Sequence, residues 1–350
     1  MHLVHTLPPG PLDIVGDIHG EITALRDLLS HLKYDESGAH AQGRKLVFVG
    51  DLIDRGPDSH GVVMWVREMV SAGNAYCILG NHELNLLVDD VKDGSGWFFD
   101  ERYEKDARNY APFTRTPREQ RDEIRNFLQH LPVALLRDDI RVVHAAWSQE
   151  AIDAVATLRL GSVVKQYKEW ERAAQTAAQA SGLYQRYIEE KTRWATQLED
   201  EHNPPPFLEA IAQYDAAQEM ANPLKVLTSG IERKADTPFF AGHRWRYSDR
   251  VNWWDEYDDP TPVVIGHYWR LYRPREDGET PRYTQLFNHI EGRAWHGKRR
   301  NVFCVDFSVG ARWRDRKGLE QVQPSRFRLA ALQWPENRLV FDNGEIVNTL

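Results

Sequence analysis

Three short polar runs in the first quarter of the chain carry residue types suited to holding metal ions and moving phosphoryl groups. They are Gly16-Asp17-Ile18-His19-Gly20, Gly50-Asp51-Leu52-Ile53-Asp54-Arg55-Gly56-Pro57 and Gly80-Asn81-His82-Glu83. Asp, Asn and His together form a hard-to-borderline ligand set that suits Mn²⁺, Fe or Zn²⁺ better than a thiolate site would. A single carboxylate can bridge two such ions. Taken alone, an Asp after a strand is more often a turn or cap residue than a ligand. The weight rests on the coincidence of three runs.

Those runs need elements that bring them to one place. Each follows a short apolar stretch rich in β-branched residues, over 12–15, 46–49 and 75–79, and each precedes a helical pattern starting at Glu21, Asp58 or Leu84. Repeated strand–loop–helix units imply parallel strands whose C-terminal ends share one edge, the edge where α/β proteins place their sites. Later stretches at 133–136, 140–143 and 262–265 read as strands, two of them ending in His144 and Gly266-His267. Further strands are expected at 301–307, 326–333 and 338–341. Residues 91–116 and 271–300 read as loops, and Pro117 opens a helix burying Ile124, Phe127, Leu128 and Leu131. Between 150 and 221 the composition turns to Ala, Gln, Glu, Lys and Arg with helical periods and a break at Asn203-Pro204-Pro205-Pro206. This segment reads as a helical insertion within one domain spanning 1–350.

The three runs, in order and context, resemble the signature of the calcineurin-like metallophosphoesterases. The resemblance is to the branch holding the serine/threonine phosphoprotein phosphatases and the symmetrical diadenosine tetraphosphatases. It implies an α/β fold of mixed sheets, a β-sandwich flanked by helices, and a metal-dependent phosphohydrolase with two divalent ions, Mn²⁺ first among them. By the same resemblance Asp17 and His19 hold the first ion and Asp51 bridges. Asn81, His144 and His267 hold the second. His82 is the general acid, Asp54 orients it, and Arg55 binds phosphate oxygens. A second phosphate arginine is expected upstream of the last His, with Arg244 and Arg246 as candidates against a packing role. Glu83 supports the ligand loop from behind, and Asp306 has a structural role. The chain departs from the wider superfamily at Trp269, where many members carry a further His, and at Ala145-Ala146, where glycines are common.

Composition narrows the partners. A formal net charge of −8 argues against a protein that grips a nucleic-acid backbone. The two cysteines, Cys77 and Cys304, sit in apolar runs and read as buried inert thiols of a reducing compartment. Neither a signal sequence nor a membrane span is visible, so a cytoplasmic protein without membrane partners is expected. Gly266-His267-Tyr268-Trp269 resembles the Gly-His-Trp run of the diadenosine tetraphosphatases, which ranks a small or nucleotide-bearing phosphate substrate first. The alternatives are a phosphoprotein phosphatase, a polynucleotide-end phosphatase using the basic stretch 293–300 with Trp295, and a catalytically silent binding module. The insertion and the tryptophans Trp245, Trp253 and Trp254 are expected to overhang the site, either stacking on a base or packing the insertion to the core.

Overall fold

The computed structural model describes residues 1–241, 244–273, 286–318 and 325–350. After β1 (Val4–Thr6), the expected units appear as β2 (Leu12–Val15), α1 (Ile22–His31), β3 (Lys45–Phe48), α2 (Ser59–Ser71), β4 (Ala75–Cys77) and α3 (Asn81–Leu87). Helix α2 starts where its sequence says, because the Asp58 side chain accepts the Gly61 N–H at 2.9 Å. Helix α3 starts three residues before Leu84. Its onset is fixed by Glu83, whose carboxylate reaches back to the Gly80 N–H at 2.9 Å and leaves Asn81 and His82 in the first turn.

Residues 91–116 are not all loop. They hold α4 (Tyr103–Tyr110), preceded by two short 3₁₀ turns. The buried face of α4 is Asp106 and Tyr110, and Asp106 accepts from the Gly96 N–H at 2.7 Å. A carboxylate in the buried stripe conceals the apolar period by which a helix is read.

Helix α5 (Arg121–Gln129) buries Ile124 and Leu128, and β5 (Ala134–Arg137) and β6 (Ile140–Val143) form the expected antiparallel hairpin. Then come α6 (Gln149–Ala156), α7 (Val163–Ala180), α8 (Leu183–Arg193), α9 (Ala195–Leu198), α10 (Glu209–Met220) and α11 (Pro223–Ser229). The proline break falls between α9 and α10. An antiparallel ribbon follows that the sequence did not announce, β7 (Glu232–Ala241) with β8 (Arg244–Arg250). Its register shifts between Lys234 and Phe239, which destroys the clean alternation expected of a strand. The ribbon packs on α10 through Tyr247, which clusters with Leu208, Ile211 and Ala212. The chain closes with β9 (Val263–Ile265), β10 (Val302–Cys304), α12 (Trp313–Arg316), β11 (Ala330–Trp334), β12 (Arg338–Phe341) and β13 (Ile346–Asn348). The expected loop 271–300 lies in part outside the described residues. Of the stretch expected as a strand at 301–307 only Val302–Cys304 is one, and of 326–333 only the part from Ala330, with Phe307 and Arg328 joined by an isolated bridge between them.

Two sheets stack, one in the order β1-β5-β6-β9-β10 and the other β13-β12-β11-β2-β3-β4. Period-two alternation makes the sandwich. Leu12, Ile14, Val47 and Val49 point inward to meet Leu135, Val142, Val264 and Phe303 of the facing sheet, while Val15, Leu46 and Phe48 face the helices. Strands β2, β3 and β4 are parallel to one another, as are β6, β9 and β10, so the polar runs after each end on the same rim. No helix among the described residues is long and apolar enough to cross a membrane.

Candidate active site

The rim gathers the side chains singled out in the sequence. Asp17, His19, Asp51, Asp54, His82, His144 and His267 are each at most 5% exposed. One Asp51 oxygen lies 3.7 Å from His19 Nε2 and the other 3.4 Å from His144 Nε2. Two clusters of potential ligand atoms therefore share this carboxylate, His19–Asp51–His82 and Asp51–His144–His267. The Asn81 amide oxygen joins the second, 3.2 Å from His144 Nε2 and 2.8 Å from His267 Nδ1. Asp17 lies beside the second cluster, accepting the His267 N–H at 3.0 Å, and its Oδ1 is buried with no hydrogen-bond partner.

Hydrogen bonds behind these groups aim them. His19 Nδ1 donates to the Ile53 carbonyl at 2.9 Å and His144 Nδ1 to the Val49 carbonyl at 2.7 Å, a tautomer choice that turns both Nε2 lone pairs inward. Glu83 accepts the N–H groups of Asp51, Leu52 and Gly80 at 2.8, 2.8 and 2.9 Å, tying the second polar run to the third. A Cβ on Gly80 would lie 2.2 Å from Asp51 Oδ1, and one on Gly266 would lie 2.1 Å from Asp17 Oδ1, so neither position accepts a side chain. The backbone is also held in an unusual state. His19, Asp51, Asp54, Arg55, His267 and Trp269 all have φ between 41° and 75°, six of the twelve left-handed non-glycine residues among those described.

The electrostatics call for a cation. Burial, reinforced by Asp306 and Asp51, pushes the Asp17 carboxyl well above its ordinary range. Burial likewise pushes Asp306 up to about 6, and with Asp51 beside it Glu83 to about 7. Burial opposes ionisation of Asp51 too, but His144 and His82 outweigh it and hold that carboxyl well below the usual value. His19 is kept neutral by burial and Arg55, and His267 by burial and Arg250. Crowded buried carboxylates beside imidazoles kept unprotonated are short of positive charge, and divalent ions would supply it. The orphaned Asp17 oxygen and the inward Nε2 lone pairs fit that group.

On the substrate side, His82 Nδ1 donates to Asp54 Oδ2 at 2.5 Å and the Trp97 indole N–H donates to Asp54 Oδ1 at 2.6 Å. Arg55 reaches His82 Nε2 at 3.0 Å and His19 Nε2 at 3.1 Å, with its guanidinium 4.9 Å from the Trp269 ring. Beside it opens a cleft of about 540 Å³ whose lining includes Arg246, Arg250, Phe239, Phe240 and Trp269. The sequence missed Trp97, which lay in an expected loop 43 residues from Asp54, and Arg250. Of the two candidate phosphate arginines, Arg246 lines this cleft and Arg244 does not.

The expected tryptophan overhang is corrected. Trp254 is fully buried, and Trp253 is 4% exposed with its N–H on the Ala145 carbonyl at 3.1 Å. Trp245 is tied to the Asp200 carbonyl at 2.9 Å and packs on Phe240. Trp245 ties the ribbon to the insertion, Trp253 and Trp254 lie in the core, and residues of the ribbon β7–β8 line the cleft. The basic stretch 293–300 is no open groove either. Arg293 is paired with Glu291, Lys298 and Arg299 with Asp258, and Trp295 packs against Phe303.

Glu83→Gln is expected to lower metal affinity or turnover by about 10–100-fold, because an amide NH₂ would face backbone donors that the carboxylate now accepts. Calorimetric metal titration and steady-state turnover measure both.

A sandwich whose shared strand-end rim carries this Asp, Asn and His set defines a metal-dependent hydrolase of phosphate esters. The chain belongs to the calcineurin-like phosphoesterase family, whose model matches residues 10–281, a family that works with two metals. It is 29% identical over 261 residues to a protein of Janthinobacterium sp. (strain Marseille) named symmetrical bis(5'-nucleosyl)-tetraphosphatase, covering 73% of this chain and 81% of that one. It is 46% identical over 74 residues to the asymmetrical bis(5'-nucleosyl)-tetraphosphatase PrpE of Oceanobacillus iheyensis, covering 20% of this chain and 30% of the relative. The crystal structure of a cold-active protein tyrosine phosphatase of Shewanella sp. is similar in outline, with a TM-score of 0.46 at 15% identity, over 100% of this chain and 83% of that one.

Proposed function

We propose that this chain is a two-metal, Mn²⁺-dependent hydrolase of small phosphoanhydrides or esters bearing a nucleotide, with symmetrical dinucleoside tetraphosphates first among them. The observation that carries the chemistry is the Asp51 carboxylate, one oxygen turned to His19 and the other to His144. In this reading Asp17, His19 and Asp51 hold one ion and Asp51, Asn81, His144 and His267 the other. Bound there, a metal pair supplies an activated water and positive charge against the phosphoryl oxygens. Arg55 swings from its two imidazole contacts onto phosphate oxygens and fixes the phosphoryl group by its planar fork. His82 gives the Nε2 proton to the departing oxygen. Asp54, braced by Trp97, keeps the ring aligned.

The substrate class is supported by the relative named symmetrical bis(5'-nucleosyl)-tetraphosphatase and by a cleft with arginine and aromatic lining beside His267. We also read residues 150–221, which hold α7 to α10 and nearly all of α6, as a helical insertion within one domain, and the free thiols Cys77 and Cys304 suit the reducing cytoplasm.

The test is one panel of substrates run before and after chelation. Metal removal should abolish hydrolysis and Mn²⁺ should restore it. Among a symmetrical dinucleoside tetraphosphate, a nucleoside monophosphate, phosphorylated oligonucleotides, a phosphopeptide and an aryl phosphate, the tetraphosphate should give the highest kcat/KM, with two diphosphate products. A phosphopeptide preferred by more than about tenfold would overturn the substrate reading and leave the metal chemistry standing.

A further inference from the structure

The ribbon β7–β8 has no place in the metal site, yet two of its arginines face the cleft beside it. Arg246 and Arg250 line the same cavity as Arg55 and His267. Neither is ion-paired among the described residues: Arg246 gives only a long bond of 3.4 Å from Nε to the Ala241 carbonyl. Arg44, Arg125, Arg233, Arg312 and Arg316 are by contrast each bound to a carboxylate.

The cleft also has carboxylates on its wall, Glu232 and Asp249, and neither forms an ion pair with these arginines. Glu232 accepts the Ser248 hydroxyl at 2.8 Å, and Asp249 accepts the Arg250 backbone N–H at 2.9 Å, not its guanidinium. Asp215, behind the ribbon, acts on Arg246 at a distance without forming an ion pair. Burial and the neighbouring Arg244 make the cation of Arg246 harder to hold than an exposed one. Two guanidinium groups that line one cleft without an ion pair are matched by a ligand with several anionic oxygens.

The geometry points to a second phosphate subsite on the ribbon, in which Arg246 and Arg250 bind a phosphate of the substrate beyond the one being cleaved. This rests on the reading of the metal rim as the hydrolytic centre and goes beyond it by naming what selects polyphosphate chains over monoesters. Arg55 serves the phosphoryl group at the metals, and the ribbon serves the rest of the chain. The two arginines are specificity residues: they touch no reacting atom.

The test needs no hydrolysis. Binding of inorganic tripolyphosphate and of orthophosphate to Mn²⁺-loaded protein is measured by calorimetry at fixed free Mn²⁺, for the wild type, Arg250→Ala, Arg246→Lys and Arg233→Ala. Arg233 lies on the same ribbon, bound to Glu256, and controls for net charge. Wild type should bind tripolyphosphate more tightly than orthophosphate, and Arg250→Ala should weaken tripolyphosphate by about tenfold while shifting orthophosphate far less, the worth of one charged hydrogen bond. Arg246→Lys keeps the charge and loses the fork, so it should narrow the same gap in part. Arg233→Ala should leave the gap intact.

Equal weakening of both anions, no change in either, or the same loss in Arg233→Ala would overturn the subsite. Hydrolysis of the tetraphosphate by wild type is scored separately. Its absence with the binding gap present would sink the proposed substrate and leave the subsite standing.

Discussion

Asp51→Asn should reduce turnover by about a thousandfold or more, because it weakens both metal positions at once and a metal pair is worth several kcal/mol of transition-state stabilisation. The amide can offer one oxygen where the carboxylate offers two, and it removes the anion that His144 and His82 hold ionised. Metal content by elemental analysis should fall in parallel with activity. Full metal occupancy with lost turnover would show that Asp51 acts on the substrate instead of on the ions. The fold should survive, since the Asp51 contacts are to the rim and the sandwich core lies below it.

His82→Ala carries the second large effect, a loss of about 10²–10⁴ in kcat for substrates with poor leaving groups and much less for an activated aryl phosphate. Metal content decides between two roles that geometry admits. His82 falls within one cluster with His19 and Asp51, yet its Nδ1 is taken by Asp54 and its Nε2 faces Arg55 on the open side. The acid role requires both metals to remain bound in the variant and the loss to grow as the leaving group worsens. An emptied site would make His82 a ligand. A uniform loss across leaving groups would remove the proton from its account.

The strands and their polar ends were legible because local pattern and global role coincide there. At 12–15, 46–49 and 75–79, short apolar runs end in a glycine and a carboxylate or amide, and the parallel register puts those ends on one rim. His144 and His267 could be read for the same reason. Where local pattern and tertiary role diverge, little was legible: β7–β8 is a charged ribbon with a register shift, and it packs on α10 through Tyr247. Helix α4 hid its buried face behind Asp106. The tryptophans were visible, but their direction was not, since burial of Trp253 and Trp254 depends on residues far along the chain. Trp97 supports Asp54 across 43 residues with no spacing rule to announce it.

The left-handed backbone at the rim sets site geometry against fold stability. A conformation that L-residues disfavour by about 1–2 kcal/mol each is concentrated at His19, Asp51, Asp54, Arg55, His267 and Trp269, where side chains serve chemistry and contribute little to the core. Glycine would relieve that strain at each of these positions, but it would remove the side chain that the rim presents. None of the six is glycine. The rim thus carries a thermodynamic cost in its backbone that its side chains, and not the packing of the core, set in place.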